Sequence, residues 1–307
     1  MPPNGYAWWY LDAVSDDRAH ALTIIFFIGS VFSPYYAFSR RRGPADPTDH
    51  CAVNVALYGR QRHHWTMTER SRGSLRRSPT ELRIGPSKFL VEETGIRCDL
   101  NEIAVPIPAT VRGRATVSWQ TSPKDVYPLD QGARHHWRPV APRARIEVAF
   151  DRPSLVWTGD AYLDMNWGVE PLENRFSRWT WSRSIGDDNA SIIYDIEERG
   201  QARRCIGVSC RSDGSASRFD PPAEATTTQL RRGFWGAGRA TRCDEGTRPK
   251  LLRTLEDAPF YTRSLIDAKI NGSSGERVHE SVDLDRFRHP IVQAMLPFRM
   301  PRRATKA

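Results

Sequence analysis

The residues best suited to acid–base chemistry lie between Arg134 and Gly168, where carboxyl, imidazole and phenol groups are set among tryptophans. Side chains alternate across a β-strand, so Asp160, Tyr162 and Asp164 are predicted to share one strand face. Burial among aromatic rings disfavours the charged form of a carboxyl group and raises its pKa. The spacing therefore predicts an acid that carries a proton near neutral pH and can protonate a weak base.

Two further groups are predicted to lie close to this acid. The same alternation places His135 and Trp137 together on a neighbouring strand. Because His135 and Tyr162 can each donate and accept hydrogen bonds, they are candidates for orienting the acid or holding a water molecule. Trp137 and Trp157 are candidates for shaping a dry pocket, since a cation over an indole face gains only about 0.5–2 kcal/mol. The alternative is that these tryptophans are ordinary core residues and that the aspartates cap turns or face solvent.

The elements that must position these residues are mostly strands. Helical turns are predicted only at Val14–His20 and near Asp285–Met295. Runs of β-type residues separated by turn residues predict an all-β sandwich or barrel. These runs are Leu22–Phe32, Cys51–Tyr58, His64–Thr68, Phe89–Glu93, Ile96–Ile103, Ala115–Gln120, Arg145–Phe150, Ala161–Asn166, Arg175–Ser182, Ser191–Glu197, Cys205–Cys210 and Thr262–Ile270.

The composition predicts a cytoplasmic protein. Its five cysteines are odd in number and form no Cys-x-x-Cys, which argues against a disulfide framework and a thiolate zinc site. The N-terminus has no basic segment followed by an apolar run, so no secretory signal is expected. The apolar stretch Ala21–Phe32, about twelve residues long, is too short for a membrane-spanning helix and is predicted to be a buried strand.

The formal charge of +9 is compatible with nucleic acid, with anionic lipid or with plain solvated charge. Only five of the 45 basic residues are lysine, and the arginines are dispersed along the chain. Because no basic stripe is interleaved with exposed aromatics, nucleic-acid binding is ranked last. The basic clusters at Arg40–Arg42, Arg70–Arg77 and Arg299–Lys306 instead suit docking on an anionic membrane surface.

The Arg134–Gly168 segment, with GYAWWYLDAVSDD at 5–17, LTIIFFIGSVFSPYYA at 22–37 and CAVNVALYG at 51–59, resembles the carotenoid 1,2-hydratases of purple photosynthetic bacteria. These enzymes are also called hydroxyneurosporene synthases. The resemblance implies a cofactor-free hydro-lyase that adds water to the terminal C1=C2 double bond of an acyclic carotene such as neurosporene or lycopene. A His-x-Trp pair and a Tyr-x-Asp pair are implicated in activity in that family, and they match, in order, His135 and Trp137, and Tyr162 and Asp164.

This reaction requires a particular kind of proton donor. Hydration of a trisubstituted alkene requires proton delivery to carbon and then capture of a tertiary carbocation by water. A neutral carboxylic acid suits the task because its conjugate base can take back a proton from the adding water. Asp164 is the first choice, with Asp160 and Asp12 as lesser candidates. The chain has no P-loop, dinucleotide fingerprint, nucleophile elbow or zinc-protease motif, so no cofactor and no metal are predicted.

The resemblance also bears on organisation. A boundary near Gly168–Glu173 divides the chain into halves of similar length, residues 1–170 and 171–307. Relatives of these hydratases look like two lipocalin-type β-domains packed together, so each half is expected to be a lipocalin-like barrel or sandwich. Trp8, Trp9 and Tyr10, with Tyr35 and Tyr36, are candidates for lining a tunnel for a long polyene, with ordinary barrel packing as an equal alternative.

These residues are compatible with two main hypotheses about function. The first is the hydratase, placed on the cytoplasmic side of the inner, photosynthetic membrane because its substrate lives in the bilayer. The second is a non-catalytic carrier of a hydrophobic polyene, since lipocalin-like barrels commonly bind apolar molecules. A carrier needs no buried ionisable groups, which are costly when ionised and unpaired. The cluster of Asp164, Tyr162 and His135 among tryptophans therefore favours the enzyme. A third hypothesis, that a related fold cyclises other polyenes, is also compatible with these residues.

Overall fold

The computed structural model describes residues 1–59, 63–186 and 188–303, in which β-strands dominate and confirm the all-β class. The strands are β1 (Tyr6–Ser15), β2 (Ala21–Ile28), β3 (Cys51–Tyr58), β4 (His63–Arg70), β5 (Leu75–Arg77), β6 (Glu81–Ile84), β7 (Ser87–Glu92), β8 (Gly95–Ile103), β9 (Thr110–Ser118), β10 (Tyr127–Pro128), β11 (His135–Arg152), β12 (Ser154–Gly168), β13 (Phe176–Ile185), β14 (Asn189–Glu198), β15 (Arg204–Arg211), β16 (Ala216–Phe219), β17 (Thr228–Gln229), β18 (Ala240–Thr241), β19 (Lys250–Asp257), β20 (Tyr261–Ile270), β21 (Ser273–Asp283) and β22 (Arg302–Arg303). Each predicted β-run overlaps one of these strands, although the run Leu22–Phe32 extends four residues beyond the end of β2.

Helices are short and few by comparison. The α-helices are α1 (Pro34–Arg42), α2 (Leu172–Arg175), α3 (Leu284–Arg288) and α4 (Pro290–Met295), and 3-10 turns lie at Pro47–Asp49, Arg72–Ser74, Glu224–Thr226 and Leu296–Phe298. Helices α3 and α4 confirm the helical turns predicted near Asp285–Met295. None of the helices in the described chain combines the length and the hydropathy needed to cross a bilayer.

The chain divides into two compact units. Unit one is Met1–Pro171 with the described tail from Ala294, and unit two is Leu172–Gln293. The tail belongs to unit one, where β22 pairs in parallel with β4, whereas the sequence analysis assigned it to the second half. Residues 304–306 of the predicted basic tail lie outside the described residues.

Unit one is a long curled sheet with the strand order β22-β4-β3-β2-β1-β12-β11-β9-β8-β7-β6-β5, and β10 is added beside β11. The curl brings β4 against β8 and the segment after it. Arg70 on β4 forms an ion pair of 2.7 Å with Glu102 on β8, and the backbone N–H of Val105 donates to the carbonyl of Trp65 at 2.9 Å. The sheet therefore closes partway on itself, as in a lipocalin-like half-barrel.

The apolar core of unit one lies within this curl. Alternation along each strand puts one side chain in two on the inner face. Strands far apart in the sheet order meet there: Phe26 on β2 packs edge-on against Phe89 on β7, with ring centroids 5.8 Å apart. Each buried aliphatic or aromatic side chain contributes about 1.5–3 kcal/mol. Core members include Leu11, Ile24, Val53, Ile96, Val117, Ile146, Val148 and Leu163.

A β-hairpin turn stands where the sequence predicted a helical turn at Val14–His20, and that prediction was wrong. Strand β1 continues to Ser15, whose hydroxyl donates to Asp17 Oδ1 at 2.6 Å. The same carboxyl oxygen accepts from the backbone N–H of Ala19 at 2.9 Å, and Arg18 takes a left-handed φ of 58°. Short polar side chains that bind nearby backbone favour turns over helix, and they connect β1 directly to β2.

Unit two is an antiparallel sheet with the order β16-β15-β14-β13-β21-β20-β19, and β17 pairs separately with β18. Its interior contains polar and charged side chains as well as an apolar cluster around Ile266. Arg277 is buried and donates to Ser184 Oγ at 2.8 Å and to the carbonyl of Ser191 at 3.0 Å. Burial and the nearby Arg183 lower the pKa of Arg277 to about 9.

His279 on β21 is the buried histidine of this unit. Its side chain is fully buried, and Nε2 lies 3.0 Å from the carbonyl oxygen of Ala240. A carbonyl only accepts, so Nε2 carries a proton and donates it. Burial lowers the pKa of His279 to about 4, although the Ala240 bond opposes the shift. The imidazole is therefore neutral in the folded protein at pH 7.

This burial predicts a pH-dependent stability for unit two. Between about pH 6.5 and 4 the unfolded chain binds a proton on His279 that the folded chain does not, so the free energy of unfolding falls as the pH falls. The loss amounts to about 3 kcal/mol across the window. Urea unfolding at pH 7 and at pH 4.5 measures it. We expect a smaller pH-dependent loss in His279→Gln, whereas His289→Gln, which changes an exposed histidine, should behave like the parent. Equal losses in all three proteins would contradict the assignment.

Candidate active site

Three polar side chains form a row on one face of β12. Tyr162, Asp164 and Asn166 alternate along the strand and are all at least 97% buried. Leu163, between two of them, points to the opposite face and belongs to the apolar core. One strand thus carries the core on one face and a buried polar row on the other, as the period of two requires.

The carboxyl group of Asp164 is held by three donors. Trp137 Nε1 and the Tyr162 hydroxyl each donate to Oδ2 at 2.9 Å, and Asn166 Nδ2 donates to Oδ1 at 3.1 Å. Trp137 Nε1 also lies 3.2 Å from the Tyr162 hydroxyl oxygen. Both oxygens of the carboxyl are thereby fixed in direction, which is the preorganisation that a proton donor to carbon requires.

Strand β1 lies beside β12 and extends the cluster. The register sets Tyr10 opposite Asp164 and Asp12 opposite Tyr162. The Tyr10 ring meets the Tyr162 ring edge-on at 6.3 Å, and its hydroxyl donates to Asp12 Oδ2 at 3.2 Å. Asp12 is fully buried. A second carboxyl group therefore lies one strand away from Asp164.

Strand β11 contributes His135 and Trp137 on the same face, in agreement with the predicted alternation. Their register partners on β12 are Gly168 and Asn166. His135 is fully buried, its Nδ1 lies 2.9 Å from the Tyr6 hydroxyl oxygen, and its backbone N–H donates to Asp130 at 2.8 Å. The imidazole is positioned at the end of the row that contains Asp164.

Aromatic rings surround this row. Trp8 stacks on Tyr6 with ring centroids 5.0 Å apart and meets Phe27 at 6.1 Å. Tyr127 on the short strand β10 packs on Trp137 at 5.2 Å. The cluster thus places few polar atoms among apolar walls, which strengthens each hydrogen bond inside it.

Trp157, a predicted pocket residue, and Trp9, a predicted tunnel residue, lie on the other face of the sheet. Trp157 belongs to the apolar core, and Trp9 packs against that core from its edge. Trp9 precedes Tyr10 by one residue and Trp157 is an odd number of positions from Asp164, so alternation turns both away from the row. The expectation that Trp157 shapes a pocket with Trp137 is corrected accordingly, and for Trp9 the contacts agree with the alternative of ordinary barrel packing.

Asp160 shares the strand face of Asp164 but lies in a different environment. Its carboxyl group accepts from Arg145 at 2.9 Å and retains 30% side-chain exposure. Arg18 lies at 4.0 Å from its second oxygen. Asp160 is therefore part of a solvent-accessible ion-pair network near the middle of β12, and of the two lesser candidates only Asp12 lies beside the cluster.

Tyr35 and Tyr36 lie on α1, a helix that the sequence analysis did not predict. Ser33 caps the helix by accepting from the backbone N–H groups of both tyrosines at 3.1 Å. Tyr36 is fully buried, donates its hydroxyl proton to the carbonyl of Gly5 at 2.7 Å and stacks on His50 at 4.6 Å. It thereby anchors the chain just before β1. The Arg302 guanidinium lies 6.0 Å from the centre of the Tyr35 ring.

Three residues of the cluster were not singled out in the sequence analysis, namely Tyr6, Asn166 and Gly168, and Tyr10 was named only as a candidate tunnel residue. The signal that identifies Asn166 is its place two residues after Asp164, which continues the row. Tyr6, Trp8, Tyr10 and Asp12 likewise alternate in GYAWWYLD. Their convergence on β12 depends on a strand pairing across about 150 residues that no local pattern reveals.

Among the described residues, no group of three or more His, Cys, Asp or Glu side chains has the arrangement of a metal site. The chemistry offered by the cluster is proton transfer. It comprises a fixed carboxyl group, a phenol and an amide that contact it, and an imidazole further along the row.

Known proteins resemble this chain along nearly all of its length. The model of the carotenoid hydratase family CrtC matches residues 24–307. The acyclic carotenoid 1,2-hydratase of Thiocapsa roseopersicina is 47% identical over 302 residues, which cover 98% of this chain and 74% of that protein. Its namesake from Rubrivivax gelatinosus is 45% identical over 310 residues, covering 99% and 75%. That of Cereibacter sphaeroides is 40% identical over 282 residues, covering 91% and 98%.

Solved structures share the fold at much lower identity. A putative AttH from Nitrosomonas europaea has a TM-score of 0.57 at 16% identity and covers 91% of this chain and 92% of its own. Kievitone hydratase from Nectria haematococca has a TM-score of 0.57 at 12% identity, with 92% of each chain covered. At these identities the likeness supports the lipocalin-like architecture alone.

The position of Gly168 yields a prediction. A Cβ atom there would lie 2.6 Å from His135 Nδ1 and 2.6 Å from Tyr6 Cε1. Both rings are packed, so Gly168→Ala must displace them and weaken the bond between them. We expect a loss of about 1–3 kcal/mol in the free energy of unfolding, measured by urea denaturation. Gly238→Ala is the control, because a Cβ at Gly238 meets nothing within 4 Å. An unchanged stability of Gly168→Ala would show that the site relaxes around a methyl group.

Proposed function

Because the chain belongs to the carotenoid hydratase family CrtC, we propose that it adds water across the terminal C1=C2 double bond of acyclic carotenes such as neurosporene and lycopene. The observation that carries the proposal is the buried carboxyl group of Asp164, which three donors hold in one orientation. Alkene hydration begins with proton transfer to carbon, and a fixed acid in an aromatic enclosure is suited to that step.

In the first step, neutral Asp164 transfers its proton to C2, and the π electrons of the double bond form the new C–H bond. This leaves a tertiary cation at C1 and a carboxylate at Asp164. Trp137 and Tyr162 both donate to Oδ2, so they stabilise the negative charge that develops there. Asp164 is preferred to Asp12 because its carboxyl group contacts both of these residues.

In the second step, water attacks C1, the new C–O bond forms, and the proton released by the water returns to the Asp164 carboxylate. Carotene and water enter, the alcohol leaves, and the acid is regenerated. The cycle balances without an oxidant, a reductant or a group carrier. The proposal therefore includes independence from cofactors.

The aromatic residues have a supporting role. An indole face over the C1 cation contributes about 0.5–2 kcal/mol, which is small beside the barrier to alkene protonation. The walls formed by Trp8, Trp137 and their neighbours act chiefly by excluding bulk water, which would otherwise solvate the carboxylate and weaken each hydrogen bond. His135 is placed by Tyr6 to orient the row or to pass protons along it.

Delivery of an insoluble carotene favours contact with the cytoplasmic face of the inner, photosynthetic membrane. Helix α1 presents Phe38, which is 50% exposed, together with the exposed Arg41 and Arg42. The Arg42 guanidinium lies 4.0 Å from the centre of the Phe38 ring. An exposed aromatic beside cations suits the interface of an anionic bilayer.

The role of Asp164 is tested by Asp164→Asn. The amide has nearly the same shape but cannot donate the acid proton, so the hydration rate should fall by at least about a hundredfold while carotene binding is retained. The assay follows hydroxylated product by mass spectrometry with lycopene in lipid micelles. Asp160→Asn is the matched control, since Asp160 lies in a solvent-accessible ion pair. Activity of Asp164→Asn within about threefold of the parent would transfer the role to Asp12.

The source of the atoms that are added gives a second test. In deuterated, oxygen-18-labelled water, protein dialysed against a chelator should give product with one non-exchangeable deuterium at C2 and heavy oxygen at C1. The acid exchanges with solvent between turnovers, so the label reaches carbon through it. Heavy oxygen derived from labelled dioxygen would indicate a redox hydroxylation. Absence of any hydroxylated product would favour the polyene carrier.

A further inference from the structure

One buried polar atom of the Asp164 cluster has no hydrogen-bond partner among the described residues. It is the carbonyl oxygen Oδ1 of Asn166, a residue that is only 2% exposed. The other end of the same amide donates to Asp164 Oδ1 at 3.1 Å. Leaving a buried carbonyl oxygen without a hydrogen bond is unfavourable, so this oxygen is suited to accept one from a molecule that enters the site.

The neighbours of Asn166 restrict what that molecule can be. In register, Asn166 lies between Trp8 on β1 and Trp137 on β11, on the same face of the sheet. The Trp137 N–H is directed to Asp164 and Tyr162, and indole nitrogens do not accept hydrogen bonds. The amide oxygen therefore offers a strong acceptor between two apolar rings. A small hydrogen-bond donor such as water fits this description.

We propose that Asn166 Oδ1 holds the water molecule that adds to C1, which makes Asn166 a positioning residue for the second step. The inference rests on the proposed hydration and assigns a residue to it. C1 and C2 are bonded to each other, so the acid and the water must be presented side by side. The Asn166 amide meets that requirement, because its N–H holds the acid and its oxygen holds the water.

The step balances in atoms and charge. The water donates one hydrogen to Asn166 Oδ1 and directs a lone pair at the C1 cation. The C–O bond forms, the other O–H bond breaks, and that proton passes to the Asp164 carboxylate. Asn166 neither gains nor loses a proton and forms no covalent bond.

The C1 cation has two fates, and Asn166 should control the choice between them. Capture by water gives the alcohol, whereas loss of a proton returns an alkene. Without the Asn166 oxygen, the first fate slows while protonation by Asp164 continues. In deuterated water, an alkene that forms from the cation by loss of the original C2 hydrogen, or of a hydrogen from a methyl group on C1, carries deuterium at C2, whereas return of the delivered deuteron to Asp164 gives unlabelled alkene. The ratio of deuterated, recovered alkene to alcohol therefore rises when capture by water slows, and its change between parent and variant is independent of the overall rate.

The test compares this ratio in the parent and in Asn166→Leu, which keeps the branched shape and removes both the oxygen and the N–H that contacts Asp164. We expect the ratio to rise by about tenfold, the equivalent of one lost hydrogen bond. Asn166→Ser retains an oxygen acceptor and should remain closer to the parent. If Asn166→Leu does not fold, Asn166→Val serves in its place, with near-ultraviolet circular dichroism as the check on folding.

A matched control separates positioning from packing. Asn54 on β3 is also 2% exposed and donates to the carbonyl of Thr66 at 2.6 Å, so Asn54→Ala removes a buried amide from the same sheet. It should leave the ratio unchanged even if it lowers stability. An unchanged ratio in Asn166→Leu, with only a lower total rate, would overturn the proposal. Failure of the parent itself to place deuterium at C2 would instead refute the proposed function.

Discussion

The pairing register of β1, β12 and β11 is the constraint on which the candidate active site depends. It places Tyr10 beside Asp164 and sets Asn166 between Trp8 and Trp137. A slip of one residue would exchange the two faces of a strand and turn Leu163 outward in place of Asp164. The apolar core on the other face opposes that slip, since Leu11 and Leu163 would lose their buried contacts. Packing of the core therefore fixes the position of the Asp164 carboxyl group.

Burial of ionisable groups has a cost that the cluster offsets by hydrogen bonding. Asp164 and His135 are almost completely enclosed, and an isolated charge in such a place would cost several kcal/mol. The three donors to Asp164 reduce the cost of the carboxylate, and they hold its direction whether or not it is protonated. A site that only bound an apolar polyene would gain nothing from such groups. Their burial at this position therefore supports the proposed proton transfer.

The same alternation explains why neighbouring aromatic residues have different roles. Trp8 stacks on Tyr6 within the row, whereas Trp9 meets Phe89 in the inner packing of the curled sheet at 6.4 Å. Trp8 and Trp9 are the same amino acid and adjacent in sequence, so residue type alone does not distinguish them. They differ because adjacent residues of a strand point to opposite faces of the sheet. The inner face is occupied by apolar side chains, so the polar row that includes Asp164 lies on the opposite face of the sheet.

The sequence by itself determined the all-β class, most strands and the pairing of His135 with Trp137 and of Tyr162 with Asp164, because these depend on alternation between near neighbours. Its resemblance to the carotenoid hydratases named the family. Only the tertiary structure decided that Trp157 belongs to the core, that Asp160 is solvated, and that Tyr6, Tyr10 and Asn166 join the cluster. The reason is that β1 and β12 are distant in the chain, and which residues face each other across them depends on register and burial of the whole sheet.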